Sequence, residues 1–331
     1  MKDLSKVSVK LMEIGSETSG QRVDNFLLRQ CKGVPKSHIY RILRSGEVRV
    51  NSGRVDATYR LQEGDRVRIP PLRLGVKAAP AKPPKIELPL LYEDEGLIAA
   101  NKPAGLAVHG GSGISYGVIE QLRAARPEAK FLELVHRLDR ATSGMLLLAK
   151  KRSVLTAMHG LIRAGQMDKR YLVLVQGQWP SGKRNVKLKL QRFVTGAGER
   201  RVSVDDEGRE SHTVFELERA CGAYSLLQAQ LKTGRTHQIR VHLAHLGFPI
   251  AGDDKYGDFD LNKRLARQGL QRMFLHAWKL AFVHPLTGNR LRLEAPLPPE
   301  LEHFMRSLKS DDKSSRKRRE GQELQEEDNS P

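Results

Sequence analysis

Residues 72 to 87 contain Ala79-Pro80-Ala81-Lys82-Pro83-Pro84-Lys85, a stiff Pro-rich stretch with little to bury. A chain broken there cannot build one core from both sides. It must fold as a small unit before the break and a large one after it. The length of 331 residues suits two domains at about 150 residues each. Composition then divides the chain into a loose polar N-terminus (1–19), a compact basic unit (20–71), the linker (72–87), a large mixed domain (88–308) and a charged tail (309–331), which is expected to be disordered.

Several classes are excluded early. The longest apolar run, Met145 to Ala149, falls far short of the roughly 20 residues needed to cross a bilayer. The first twenty residues hold no apolar core of a secretion signal. Cys31 and Cys221 stand far apart, which argues against a disulfide scaffold or a Cys-rich zinc site and for a reducing, cytoplasmic setting. Fifty-seven Lys and Arg against 38 Asp and Glu leave a formal charge of +19. The tail, with six basic and seven acidic side chains, contributes none of it. A basic folded surface of this kind attracts polyanions, and nucleic acid is the commonest one in a cytoplasm.

In the first unit, Val23, Phe26, Leu27 and Cys31 share one helical face, and so do Ile39, Ile42 and Leu43. Ser37 is placed to cap the second helix and Gly46 to end it. Val48-Arg49-Val50 and Val67-Arg68-Ile69 alternate core with cation, as half-buried strands do. Eleven Lys and Arg against five Asp and Glu between Gly20 and Pro71 give a net of +6. Lys36, Arg41, Arg44 and Arg49 are the candidate RNA contacts.

The densest chemistry lies in Val135-His136-Arg137-Leu138-Asp139-Arg140-Ala141-Thr142-Ser143-Gly144, ahead of the apolar strand. Turn residues after Asp139 put it on a loop entering that strand. Arg137 and Arg140 beside it favour its charged form, suiting a nucleophile or base in a phosphate-accepting site. On spacing alone, a turn carboxylate in a salt bridge is the plainer account. Tyr171 opens a strand and offers a flat face to a nucleobase, although such a residue is more often core. The stretch from Thr233 to His242 enters an apparently amphipathic helix, burying Ile239, Leu243 and Leu246. Its Arg235 and Arg240 suit a phosphate or a buried carboxylate. Metal binding is not expected, since His242, His245, Asp253 and Asp254 lack a third ligand at helical spacing. Gly111-Ser112-Gly113 with Gly117 does not fit a dinucleotide loop, and no Walker motif occurs, so no cofactor is expected.

Gln21-Arg22-Val23-Asp24, the run from Ser37 to Asn51 and Glu63-Gly64-Asp65 resemble the αL RNA-binding motif. The Val135–Gly144 segment, Lys169-Arg170-Tyr171 and Gly234-Arg235-Thr236-His237-Gln238-Ile239-Arg240 resemble, in order, three signature segments of the RluA-type pseudouridine synthases. Asn101-Lys102-Pro103-Ala104-Gly105, the run from Val108 to Gly113, His276-Ala277 and His284-Pro285 add to the likeness; Ala141, where relatives often carry an acidic residue, departs from it. The resemblance implies an α+β catalytic domain with a mixed, mainly antiparallel bent sheet flanked by helices. It implies isomerisation of uridine to pseudouridine in large-subunit rRNA, without cofactor, by a monomer. Asp139 would be the catalytic aspartate, Tyr171 the ring that stacks on the base and helps remove the C5 proton, and Arg235 the cation paired with Asp139, with Arg240 second. Arg137 would enter the RNA where the nucleotide is flipped out, with Arg140 and Arg240 as further RNA contacts. A tRNA synthase and a non-catalytic assembly factor are the alternatives; an intact Asp139, Tyr171 and Arg235 set argues against the latter.

Overall fold

The computed structural model describes residues 8–31, 33–72, 83–111, 114–180, 182–196 and 198–308. Most of the expected linker and the whole expected tail lie outside them. The chain divides into two units, the described residues up to 84 with 127–131, and the remainder.

The first unit runs β1 (Lys10–Glu13), α1 (Val23–Gln30), α2 (Lys36–Arg44), β2 (Arg49–Val50) and β3 (Arg66–Ile69). The strands form an antiparallel sheet in the order β1-β3-β2. Apolar residues three and four apart give each helix one buried stripe, and Phe26, Leu27, Ile39, Ile42 and Leu43 meet Val67 and Ile69 in a shared core. Across the helices the Tyr40 hydroxyl donates to the Asp24 carboxylate at 2.9 Å, and Arg22 donates to the same carboxylate at 2.7 Å. Gly46 ends α2 in the left-handed region at φ +73°, as expected. The start differs. Pro35 occupies the cap position and Ser37 lies inside the helix, because Pro35 already has the preset φ, −56°, that launches a helix. The N-terminus also departs from expectation, since Lys10–Glu13 pairs along the free edge of β3 and Met12 packs against the core.

The second unit contains β4 (Leu90–Glu93), β5 (Leu97–Lys102), α3 (Val118–Ala125), β6 (Glu133–Leu134), β7 (Ser143–Ala149), α4 (Arg152–Arg163) and β8 (Asp168–Gln176). There follow β9 (Lys183–Val194), β10 (Arg200–Val204), β11 (Arg209–Cys221), β12 (Tyr224–Leu231), α5 (Gln238–His245), α6 (Phe259–Arg267), β13 (Leu275–Val283) and β14 (Arg290–Glu294). One eleven-stranded sheet has the order β10-β9-β11-β12-β8-β13-β7-β5-β4, with β14 on β13 and β6 on β7. Its named pairings are antiparallel except β13 with β7. The sheet is therefore mixed and mainly antiparallel, with helices flanking it. β7 is buried at every residue, which explains its unbroken apolar run. α6 is capped by the Asp258 carboxylate, which accepts from Asp260 N and Leu261 N. With the closing helix (299–308) it buries Leu261, Leu265, Phe304 and Met305 beside Phe274. α5 is not amphipathic. Gln238 through Leu243 are all buried, because the apolar residues meet the sheet while the polar ones have partners of their own.

Candidate active site

The β13–β7 seam places the first part of the site. Ser143 pairs with His276 and Gly144 with Ala277 in parallel register. Gly144 has φ +104°, and a Cβ there would stand 2.2 Å from the Ala277 carbonyl oxygen, so only glycine permits this approach. The turn before it is held by Thr142 N donating to Asp139 O at 3.1 Å. Arg272 Nη2 donates to Ser143 Oγ at 2.7 Å. Ser143 therefore turns its own proton to His276 Nδ1, 2.9 Å away, and His276 Nε2–H faces Ala295 O at 3.2 Å. Burial pushes the His276 imidazole down to about 4, in keeping with this neutral form.

A second brace comes from Lys102, fully buried at the end of β5. Its ammonium donates to the carbonyls of Pro103 at 2.8 Å, Leu106 at 2.9 Å and Arg140 at 3.3 Å. Burial, and then Arg272, push its pKa down to about 7, while Asp139 opposes the shift. On the other side of the turn, Leu147 N donates to His136 Nε2 at 3.2 Å, fixing that ring to β7. The loop carrying Asp139 is thus held from three sides.

α5 brings the cations. His237 precedes it in the left-handed region, at φ 52°. Arg240 forms a bidentate pair with Asp253, with Nε to Oδ2 at 2.7 Å and Nη2 to Oδ1 at 2.5 Å, and its Nη2 also meets Asp254 at 3.3 Å. Its remaining nitrogen, Nη1, stands 3.6 Å from Asp139 Oδ2. His237 Nε2 lies 3.9 Å from the same oxygen. The Tyr256 hydroxyl accepts from Val202 N at 2.9 Å and lies 2.8 Å from His237 Nδ1, so its own proton is available to that nitrogen. This leaves Nε2–H directed toward Asp139. Burial keeps His237 below the ordinary imidazole range, with Asp139 opposing.

Asp139, Tyr171, Arg137, Arg235 and Arg240 all line one cavity of about 380 Å³, at the small end of the range for ligand sites. Tyr171 is 8 % exposed, and burial followed by the Asp139 charge raises its hydroxyl well above the phenol range. Lys169 lines the same cavity, its amine lowered by burial. Two expectations need correction. The guanidinium beside Asp139 belongs to Arg240; Arg235 is exposed and donates from Nε to Glu210 O at 3.1 Å. Arg240, expected among the RNA contacts, is instead buried, its side chain only 3 % exposed and its donors turned to Asp253, Asp254 and Asp139. Arg137 is exposed at the cavity wall, and Arg140 donates to Gly105 O at 2.9 Å on the loop's outer side. Lys36, Arg41, Arg44 and Arg49 belong to the first unit. Sequence reasoning gave no role here to His237, Asp253, Tyr256, Lys169 or Lys102. His237 carried one readable signal, its place between Thr236 and Gln238 in the segment already singled out.

The described residues contain no group of three or more His, Cys, Asp or Glu able to hold a metal ion, and no helix among them is long and apolar enough to cross a membrane. Comparison with known proteins adds the following. A family model described as RNA pseudouridylate synthase matches residues 96–245, and an S4 domain model matches 21–67. The chain is 50% identical over 314 residues to ribosomal large subunit pseudouridine synthase C of Pasteurella multocida, covering 93% of this chain and 96% of that one. It is 50% identical over 311 residues to the protein of that name from Escherichia coli strain K12, covering 92% and 98%. Among solved structures it resembles human RNA pseudouridylate synthase domain containing 4, with TM-score 0.55, 25% identity and coverage of 66% of this chain and 92% of that one.

Proposed function

The chain belongs to the RNA pseudouridylate synthase family, and on that premise we propose that it isomerises uridines of large-subunit ribosomal RNA with Asp139 as the catalytic carboxylate. The observation that carries the assignment is the Asp139 carboxylate in a nucleoside-sized cavity, beside Arg240 and His237 and on a loop braced by Lys102 and Arg272. In the reaction the C1′–N1 bond breaks, the uracil reorients, C5 bonds to C1′, and the proton lost from C5 is balanced by one gained at N1. Nothing is oxidised and no group is donated. Either attack on C1′ or removal of a sugar proton requires an oxygen base held still at the ribose, and Asp139 meets that requirement.

Arg240 steadies this carboxylate and is itself steadied by Asp253. Tyr171 offers its ring to the base; its raised hydroxyl stays protonated, which favours stacking over proton removal by a phenolate. Arg137 occupies the space vacated by the everted nucleotide. Eversion costs a few kcal/mol and least in loops and junctions, so structured single-stranded rRNA regions are the preferred targets.

Asp139→Asn should lower pseudouridine formation on rRNA fragments by about 10⁴-fold or more, as loss of a nucleophile does, while RNA affinity stays near normal. Site-resolved pseudouridine mapping of rRNA reads the result, and ordinary turnover by the variant overturns the assignment.

A further inference from the structure

In the first unit the helices cover one face of the three-stranded sheet. Alternation turns Val50, Val67 and Ile69 toward them and sends Arg49, Arg66 and Arg68 to the opposite face. The register sets Arg68 directly between Arg49 on β2 and Leu11 on β1. These side chains line a groove of about 650 Å³ with Asn51 and Ser52. Two guanidiniums directly opposite on neighbouring strands repel each other. None of the three arginines forms an ion pair among the described residues, even though Arg66 stands opposite Glu13. Arg49 Nη1 donates to Ser52 O at 3.2 Å and Arg68 Nη1 to Glu47 O at 3.0 Å. Single carbonyl bonds of this kind orient a guanidinium and leave its other donors open. Like charge is concentrated here with no ion pair among the described residues to neutralise it.

Lys36, Arg41 and Arg44 stand instead on α2, across the unit's core from this face. The basic residues that read as one surface in the sequence therefore occupy two. We propose that the outer sheet face is a second RNA-docking surface, separate from the helical one, and that it takes the phosphate backbone of a double-helical segment. The groove carries no aromatic ring on which unpaired bases would stack. Arg66 and Arg68 start from backbone positions about 7 Å apart along β3, with Arg49 across from Arg68, a pattern that suits phosphates and helix shape. The inference rests on the reading that this unit docks RNA. Its test measures binding alone, so that failure of the isomerase assignment, seen as absent pseudouridine with the unaltered chain, is a separate result.

The full chain and its Arg49→Gln/Arg66→Gln/Arg68→Gln variant are titrated with an RNA duplex of about 16 base pairs and with oligouridine of equal charge, between roughly 50 and 200 mM salt. The variant should bind duplex about tenfold more weakly or worse, with a log–log salt slope shallower by about two to three units. Oligouridine binding should change less. The RNA-free variant should melt no lower than the parent, since a repulsion has been removed. The corresponding triple Arg→Lys variant should recover most of the duplex affinity. Unchanged duplex affinity and slope would overturn the proposal, and an equal loss on oligouridine would overturn its duplex preference. A lowered melting temperature, or a Lys variant as poor as the Gln variant, would mark the arginines as structural and overturn it too.

Discussion

Arg235 and Arg240 lie five positions apart in one motif, yet the fold gives them opposite fates. Arg240 is buried between Asp253 and Asp139, and removing one partner of such a pair leaves the other charge uncompensated. Arg240→Gln should therefore lower stability by about 3–5 kcal/mol as well as abolish turnover. Arg235→Gln, at an exposed position bonded to a carbonyl, should shift stability by no more than about 0.5 kcal/mol and leave Asp139 in place. Denaturant melts paired with single-turnover assays distinguish the two, and a reversed ranking would contradict the ion-pair geometry. The place of Asp139 on a turn ahead of an apolar strand was legible from the turn residues, while its chemical role was suggested only by the family resemblance. The choice between the arginines was not. His237 breaks into the left-handed region between them, and no spacing rule carries across such a residue. The single buried stripe expected of α5 failed for a related cause, since polar side chains there are buried on specific partners such as Ser211 and Asp253.

Among the elements, the seam of β7 and β13 does most to aim the catalytic loop. Gly144→Ala would combine backbone strain with a clash against the Ala277 carbonyl. The expected cost is about 3 kcal/mol or more, with catalysis falling further than RNA binding as the Asp139 turn is pushed aside. Urea midpoints and product assays check this, and a variant as stable and active as the parent would show that the two strands can part at that point. The strand that Tyr171 was expected to open was readable, and it is β8. The parallel contact of β7 with β13 was not, because it joins residues more than 130 positions apart and leaves no local mark. β1 was missed for a simpler reason: four residues that alternate only once carry too weak a pattern, and the free edge of β3 recruits them.

Across the whole molecule, buried imidazoles set an acid limit. His242 and His276 are fully buried, and burial pushes each down to about 4. The unfolded chain takes up these protons near the ordinary value of about 6.5, before the folded chain does. The contribution of these two rings should hence be level above about pH 6.5 and fall as pH drops toward 4, by up to about 3 kcal/mol for each. Melting temperatures across that interval check the sign, and a profile that rises on acidification would contradict it. Both helices of the first unit were visible from their apolar periodicity. The lateral order of the large sheet was not, since strand neighbours are chosen by long-range packing. That order has a practical consequence. β10 closes one margin of the sheet; its Val202 N–H is taken by the Tyr256 hydroxyl, and Arg200, exposed beside it, is a charge against a second molecule adding there as a further strand. Colloidal behaviour in concentrated solution accordingly depends on a side chain that has no part in chemistry.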